Sequence, residues 1–481
     1  MKRFMTPENK KWWTLGAVSV GLFVIMLDNT VVNVALPSMQ RSLNLTLSEL
    51  EWVVAGYALT FAAFMLTGGK LADLLGRRLI FMVGLAVFTG ASLACGLAPN
   101  GGFLIGARVV QGLGGALMNP ATLSIIAATF PPKQRGTAIG IWAGVSAMAL
   151  AIGPLVGGLL TQHVNWNWIF FINVPIGVVA LLLIPVLIDE SRDTSADQRP
   201  DLPGLATSAI GLFAVTYGFI EANSYGWTSG RIVGAFAVGV GALVTFALLE
   251  LRQRAPMLDL SLFRNRTFSG ANIAMLFVGL AMFGTFFYVS LYMQKVLLYS
   301  PVQAGASFLP MTVLIILIAP QAGRLADRFG SRWLVGAGMS MLAIMLLYYS
   351  TLGAGATFFG LLPGLLIGGA GMALTMTPTT AAAMSAVAVD KAVVGSAVLN
   401  SMRQVGGSLG IAVMGAIVAS GVHSSLRAGD DQRIAFLHGF HDSLRVGSAL
   451  ALVGAVVATA AIRKQEHQHA APKAVRAAEA A

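Results

Sequence analysis

The sequence predicts an all-α integral membrane protein of fourteen transmembrane helices, arranged as two six-helix halves with two further helices inserted at the centre. Three observations carry that prediction. Only 11% of the 481 residues are charged while 56% are hydrophobic, and the mean hydropathy is +0.76; a soluble domain is about 25% charged. Apolar runs long enough to cross a lipid core of about 30 Å recur fourteen times. A ten-residue loop is repeated 254 residues further along the chain. Such a composition excludes a soluble enzyme, a disordered scaffold and a disulfide-stapled secreted module.

The runs fall at about residues 13–37, 48–68, 79–97, 103–130, 136–161, 168–188 and 204–223, then 231–251, 268–293, 302–322, 333–351, 357–379, 393–420 and 443–462. Many of the 55 glycines lie inside them, as close helix packing in lipid favours. Of the 31 lysines and arginines, 23 lie in segments on the N-terminal side, six in the opposite loops, and two, Arg108 and Arg403, within spans. This positive-inside asymmetry places both termini in the cytoplasm. It also accounts for the net charge of +11 without a nucleic-acid partner. The basic stretch Met1 to Lys11 leads into an apolar run without a cleavage-like site, which reads as a retained first span rather than a signal peptide. One cysteine, Cys95, lies in an apolar run, so an intramolecular disulfide is excluded.

The loop after the second span reads Gly69-Lys70-Leu71-Ala72-Asp73-Leu74-Leu75-Gly76-Arg77-Arg78. The loop after the tenth reads Gly323-Arg324-Leu325-Ala326-Asp327-Arg328-Phe329-Gly330-Ser331-Arg332, identical at six of ten positions. Two parallel halves place both loops on the cytoplasmic side, with spans seven and eight as the inserted pair. The expected organisation is a first half at 1–190, a linker and inserted pair at 191–260, a second half at 261–465, and a disordered cytoplasmic tail at 466–481 carrying His467 and His469. The acidic, proline-containing segment from Asp189 to Pro203 serves as the linker.

The first of these loops resembles the signature loop of the major facilitator superfamily, and other stretches narrow the likeness. Leu27-Asp28-Asn29-Thr30-Val31-Val32-Asn33-Val34-Ala35-Leu36-Pro37 is similar to the first span of the fourteen-helix drug:proton antiporter branch (the EmrB/QacA type). Arg108-Val109-Val110-Gln111-Gly112 resembles that branch's fourth span, and Gly153-Pro154-Leu155-Val156-Gly157-Gly158 its fifth-span antiporter signature. Trp166 to Pro175 resembles the start of its sixth span, with Asn167 where an arginine is usual. The likeness covers nearly the whole chain. It implies the major facilitator fold, transport rather than enzyme activity, coupling to protons with no other cofactor, and a residence in the cell (plasma or inner) membrane.

The residues bear on that implication in their own right. Asp28 lies midway through the first span, where an aspartate costs roughly 2.5–3.5 kcal/mol on insertion scales. A carboxyl that gains and loses a proton is what a proton-coupled cycle requires; the bland alternative is a carboxylate neutralised by hydrogen bonds in the bundle. Arg108, Gln111, Gly112 and Gly115 fall at i, i+3, i+4 and i+7, one face of the fourth span. The resemblance implies that Arg108 takes part in proton coupling or substrate binding. Loop lengths do not fix depth, so the sequence leaves open whether it pairs with Asp28. Asp28 is the one carboxylate read as deep in the bundle, which favours a low proton stoichiometry. Aligned on Pro120 and Pro378, Arg108 corresponds to Leu366, so the proton chemistry is expected mainly in the first half.

The substrate cavity is expected among Asn33, Gln111, Asn400, Arg403, Phe283, Phe287 and Glu221. Asn400, Arg403, Gln404 and Gly407 share one face of the thirteenth span, lining either a cavity or a packing network. In the repeated loops, Gly69, Asp73, Gly76, Arg77 and Arg78, with Gly323, Asp327 and Gly330, are expected to form a conformational switch. Its charge pairs would hold the outward-open state; the alternative is a loop that fixes orientation alone. Gly140, Ala143, Ala147, Ala151, Pro154 and Gly158 advance by three or four residues, so the fifth span presents a small-residue face. With Gly153 and Gly157, it suits either a sliding interface or ordinary tight packing. His438 and His441 lie in a predicted outer loop, Gly421 to Asp442; two such residues rarely suffice for a metal, and none is expected.

The function expected from all this is proton-driven efflux of hydrophobic or cationic small molecules by alternating access. The alternatives are a dedicated exporter or a proton-coupled importer of one metabolite on the same fold. A receptor or membrane enzyme is disfavoured: the sequence has no His-Glu-x-x-His, Gly-x-Ser-x-Gly or phosphate-binding Gly-x-x-x-x-Gly-Lys-Ser/Thr stretch. The expected partners are the substrates, protons and the lipid bilayer, and a monomer is expected.

Overall fold

A computed structural model of the chain describes residues 7–193, 201–253, 256–388 and 391–463. The expected tail at 466–481, with His467 and His469, lies outside the described residues. Fourteen described helices are long and apolar enough to cross a membrane. We number them α1 (Asn9–Leu43), α2 (Leu47–Leu75), α3 (Arg77–Gly96), α4 (Gly101–Thr129), α5 (Gln134–His163), α6 (Trp168–Leu187) and α7 (Leu202–Tyr225). They continue as α8 (Gly230–Arg252), α9 (Arg266–Val296), α10 (Pro301–Phe329), α11 (Ser331–Tyr349), α12 (Phe358–Ser385), α13 (Val394–Arg427) and α14 (Gln432–Ala461).

Local chemistry sets where these helices begin. Thr46 and Glu49 form a reciprocal capping box at the start of α2, as Ser300 and Gln303 do for α10, and Asn100 caps α4. In the repeated loops, Gly76 and Gly330 close α2 and α10 with φ of +123° and +84°. Side chains rarely adopt that region, so the repeat has one backbone cause in both copies. α14 begins eleven residues before the apolar run expected at 443. The stretch expected as an outer loop is therefore mostly helix, and Phe440 in it stacks on Tyr292, with ring centroids 4.8 Å apart.

Helices α1–α6 pack among themselves, as do α9–α14. Between them, α7 lies against both α2 and α13, while α8 touches α7 and stays outermost. Trp52 of α2 stacks on Phe213 of α7, and the Asn223 amide donates to the Ala416 carbonyl of α13. At the opposite end of the inserted pair, Gln253 donates to Asp201 at 3.0 Å and the Leu258 amide donates to Glu250.

The two groups meet most closely at the end of the bundle away from the termini. A Cβ on Gly158 of α5 would stand 2.5 Å from the Pro301 carbonyl of α10. At the same end the Ser290 hydroxyl donates to the Asn33 carbonyl, and the Gln294 amide to the Val34 carbonyl, each at 2.9 Å. Towards the termini α5 loses these neighbours: nothing stands within 4 Å of Cβ positions on Gly136, Gly140 or Gly144.

Candidate functional site

Asp28 and Arg108 meet. Both are 1% exposed, and the guanidinium donates to the Asp28 carboxylate at 2.5 Å. The same guanidinium donates to Gln111 (2.7 Å) and to the Val53 carbonyl (3.0 Å), and lies 4.2 Å above the Tyr57 ring. Gln111 returns a bond to the second Asp28 oxygen at 2.9 Å and another to Ser92 at 2.7 Å. Asn173 of α6 stands 3.5 Å from the same carboxylate oxygen. Five helices thus converge on one buried ion pair.

Helix periodicity explains why they can. Arg108 and Gln111 share a face of α4 with Gly112, whose Cβ position lies 2.5 Å from the Tyr57 carbonyl. Glycine there lets α2 approach until Val53, one turn away from Tyr57, offers its carbonyl to the arginine. Breaking a buried pair by removing one partner costs about 3–5 kcal/mol, so the charge state of Asp28 is strongly felt by α4. Gln111, expected in a substrate cavity, belongs to this cluster instead.

A cleft opens on the adjacent face of α1. Met26, Asn29, Thr30 and Asn33 line it at i, i+3, i+4 and i+7, facing Met282, Phe283 and Phe286 of α9 and Arg403 and Gln404 of α13, with Leu150 of α5. The amides of Asn29 and Asn33 donate to the carbonyls of Ile25 and Asn29. Other expected cavity residues lie elsewhere. Phe287 is fully buried, packed edge-on to Tyr288 at 4.8 Å, because one residue's rotation beyond Phe286 turns it into the core. Asn400 donates to the Ser396 carbonyl of its own helix. Glu221 of α7 accepts from the Trp52 indole at 3.3 Å, on the far side of α2.

Glu51 was not anticipated. It is 2% exposed near the start of α2 and accepts from the Tyr288 hydroxyl of α9 at 2.8 Å. Asp28 is therefore not the one carboxylate buried in the bundle. The run Leu50-Glu51-Trp52-Val53-Val54, an acid inside apolar sequence, was its signal. Ser92 and Asn173 give no such signal, since small polar residues in spans are common.

The small-residue face of α5 is used along half its length. Gly153 and Gly157 pack on Thr30 and Val31 of α1, and Pro154 and Gly158 on α10, whereas Gly140 is open. Of the two loops expected to form a switch, only the first is closed by charges. Asp73 pairs with Arg77 at 2.8 Å, and Glu190 accepts from the amides of Arg78 and Leu79. These bonds stay within α1–α6 and the segment after it. Asp327 makes no ion pair among the described residues. Sequence identity duplicated the loop, but among the described residues the second half shows no counterpart of Glu190 to complete it. His438 and His441 take separate partners, Ser425 and the Leu352 carbonyl.

Known proteins share both sequence and architecture with this chain. The model for the Major Facilitator Superfamily matches residues 18–411. A tetracenomycin C resistance and export protein of Streptomyces glaucescens is 38% identical over 421 residues, covering 86% of this chain and 77% of that one. A puromycin resistance protein of Streptomyces alboniger is 37% identical (85% and 82% covered), and a methylenomycin A resistance protein of Streptomyces coelicolor 36% identical (84% and 85% covered). Among solved structures, a bacterial homolog of the human lysosomal transporter Spinster, in an inward-facing and unoccupied conformation, superposes with a TM-score of 0.68 at 17% identity. That match covers 95% of this chain and 99% of that one. Matching family model, close relatives and shared fold agree: this fourteen-helix chain belongs to the major facilitator superfamily, a family of membrane transporters and not of enzymes.

Proposed function

We propose that the protein expels hydrophobic small molecules from the cell in exchange for protons, by alternating access of one cleft to the two faces of the cell membrane. The buried Asp28–Arg108 pair carries this reading. In it a proton on Asp28 removes the charge that Arg108 faces, and α1 bears both that carboxylate and one wall of the cleft. The names of the relatives, resistance and export proteins, support the direction. With the termini cytoplasmic, as the distribution of basic residues favours, the closed end faces outward and the cleft opens inward, ready to load from the cytoplasm or inner leaflet. A single chain holds both halves and acts as a monomer.

The energetics suffice. A proton crossing ~100 mV releases about 2.3 kcal/mol and one pH unit adds about 1.4, enough for a gradient of several hundredfold in a neutral compound at one proton each. The test uses purified protein in sealed vesicles with a trapped pH dye and an imposed proton gradient. Tetracenomycin C and puromycin are added in turn, with Asp28→Asn alongside. Proton movement triggered by compound and lost in the variant supports the exchange. Movement that persists in the variant removes Asp28 as the carrier, and no movement in the unmodified protein refutes proton exchange for these compounds.

A further inference from the structure

Among the described residues Arg403 lacks a counterion. It sits in the first third of α13 with its side chain on the cleft, its Nε has no hydrogen-bond partner, and no carboxylate among the described residues comes within ion-pair distance. Beside it Gln404 is 1% exposed, and neither its amide nitrogen nor its oxygen is bonded. One turn on, the Ser408 hydroxyl is fully buried and also unbonded. Natural interiors leave few such groups, and in lipid an unanswered guanidinium is especially costly. The other deep charges are answered: Arg108 by Asp28, and Glu51 by the Tyr288 hydroxyl.

We propose that Arg403 and Gln404 form the polar end of the cargo site and bind an acidic group, a carboxylate or an ionised phenol or enol, on an otherwise apolar, ring-bearing compound. The guanidinium fork matches a planar two-oxygen anion, and the Gln404 amide supplies a further donor. Met26, Met282, Phe283 and Phe286 supply the apolar walls, which suit flat hydrophobic rings. A lipophilic cation meets only repulsion here, because the nearby carboxylate, Asp28, is taken by Arg108. This names the cargo class within the exporter reading and rests on it. If one anion leaves as one proton enters, two elementary charges cross per cycle, so export is driven doubly by the membrane potential.

The test compares three probes with one aromatic body: pyrenebutyrate, pyrenebutanol and a pyrenebutyl-trimethylammonium salt. Each is titrated against the full-length protein in detergent, read by pyrene fluorescence. A charge-assisted bond of this kind predicts that pyrenebutyrate binds roughly 10- to 100-fold more tightly than the other two. Arg403→Gln should bring the acid down to the level of the alcohol without changing the alcohol, Arg403→Lys should keep part of the preference, and Gln404→Leu should weaken the acid several-fold. Should Arg403→Gln fail to fold, the lysine and leucine variants decide alone. Acid binding unchanged across the variants overturns the proposal, as does an ammonium probe that binds most tightly. Competition by short-chain phosphatidylglycerol as effective as pyrenebutyrate also overturns it, making the site one for a lipid headgroup. Binding needs no proton gradient, so these outcomes stand apart from the vesicle experiment. Exchange that fails with the added compounds and with pyrenebutyrate, while the acid preference is intact, refutes proton coupling alone, and the reverse refutes the cargo class alone.

Discussion

Asp28→Asn should destabilise the first six helices far more than an isosteric change normally does. The substitution preserves shape and leaves an oxygen for Gln111, but strands the Arg108 guanidinium, 1% exposed, without its counterion. Removing one member of a buried pair costs about 3–5 kcal/mol. For a unit the size of α1–α6, each kcal/mol lowers the midpoint by roughly 2–4 °C, so the expected drop is about 6–20 °C. The protein carries its own reporter. Cys95 is its one cysteine, fully buried, with its thiol 3.7 Å from Gln111. A thiol-reactive dye therefore labels it when this cluster opens, and labelling against temperature reads the midpoint without any engineered site. The paired variant Asp28→Asn with Arg108→Gln removes both charges and should recover most of the loss, because neutral amides replace an unpaired ion. Labelling of Asp28→Asn at the unmodified midpoint, or no recovery in the pair, would show that Arg108 does not depend on Asp28.

Three further outcomes follow from the same contacts. Gly158→Ala puts a Cβ 2.5 Å from the Pro301 carbonyl and 2.9 Å from the Val302 Cα; such overpacking costs about 1–3 kcal/mol, so a cysteine placed by Val302→Cys should label faster. Gly144→Ala, with nothing within 4 Å, should leave that rate unchanged. Tyr288→Phe strips the buried Glu51 of its donor, a loss of about 1–3 kcal/mol, and should also speed labelling at position 302, whereas Glu51→Gln, which keeps an acceptor for the hydroxyl, should do so less; equal rates in all forms refute a role for this contact in closure. In the segment between α8 and α9, the Lys391 ammonium, helped by Ser261, holds the Asp259 carboxyl down to about 2. Its folded value lies below the ordinary ~3.9, so its stabilisation is present above about pH 4 and lost as pH falls towards 2. At 46% and 34% side-chain exposure the pair contributes less than ~1 kcal/mol; exchange of the Ser261 amide, corrected for its intrinsic rate, should rise only below about pH 4.

How much of this was legible in sequence depends on what each feature costs when taken alone. Spans are legible because backbone in lipid must satisfy itself. Asp28 and Arg108 are legible for a related reason: an ion in an apolar run is expensive wherever it ends up. Gly76 and Gly330 are legible because the repeat fixes a backbone conformation, not a partner. What failed is whatever depends on rotation or on the neighbouring helix. Phe286 lines the cleft and Phe287 does not, a difference of one residue's turn. The start of α14 was missed because Gln432 to Asp442 reads as polar by hydropathy, although Phe436, Phe440 and Tyr292 hold it as helix. That Arg403 has no counterion among the described residues is invisible in sequence, since an absent partner leaves no residue to find.

One helix connects the parts. On α1, Asp28 faces the cluster with α4, while Met26, Asn29, Thr30 and Asn33 face the cleft. Thr30 and Val31 pack on Gly153 and Gly157 of α5, and the carbonyls of Asn33 and Val34 accept from Ser290 and Gln294 of α9. The bonds to α9 are between neutral groups, worth about 0.5–1.5 kcal/mol each, whereas the tie to Arg108 is ionic and deeply buried. On the proposed mechanism, a proton on Asp28 removes the strongest directional hold on α1 and leaves its contacts with α5 and α9 intact. In that mechanism α1 stays packed against α5 while its ionic tie to α4 is released, so its bonds to α9 carry more of its hold. Because the same helix forms one wall of the cleft, a change in its position alters the proposed cargo and proton sites together, without any relay of residues between them.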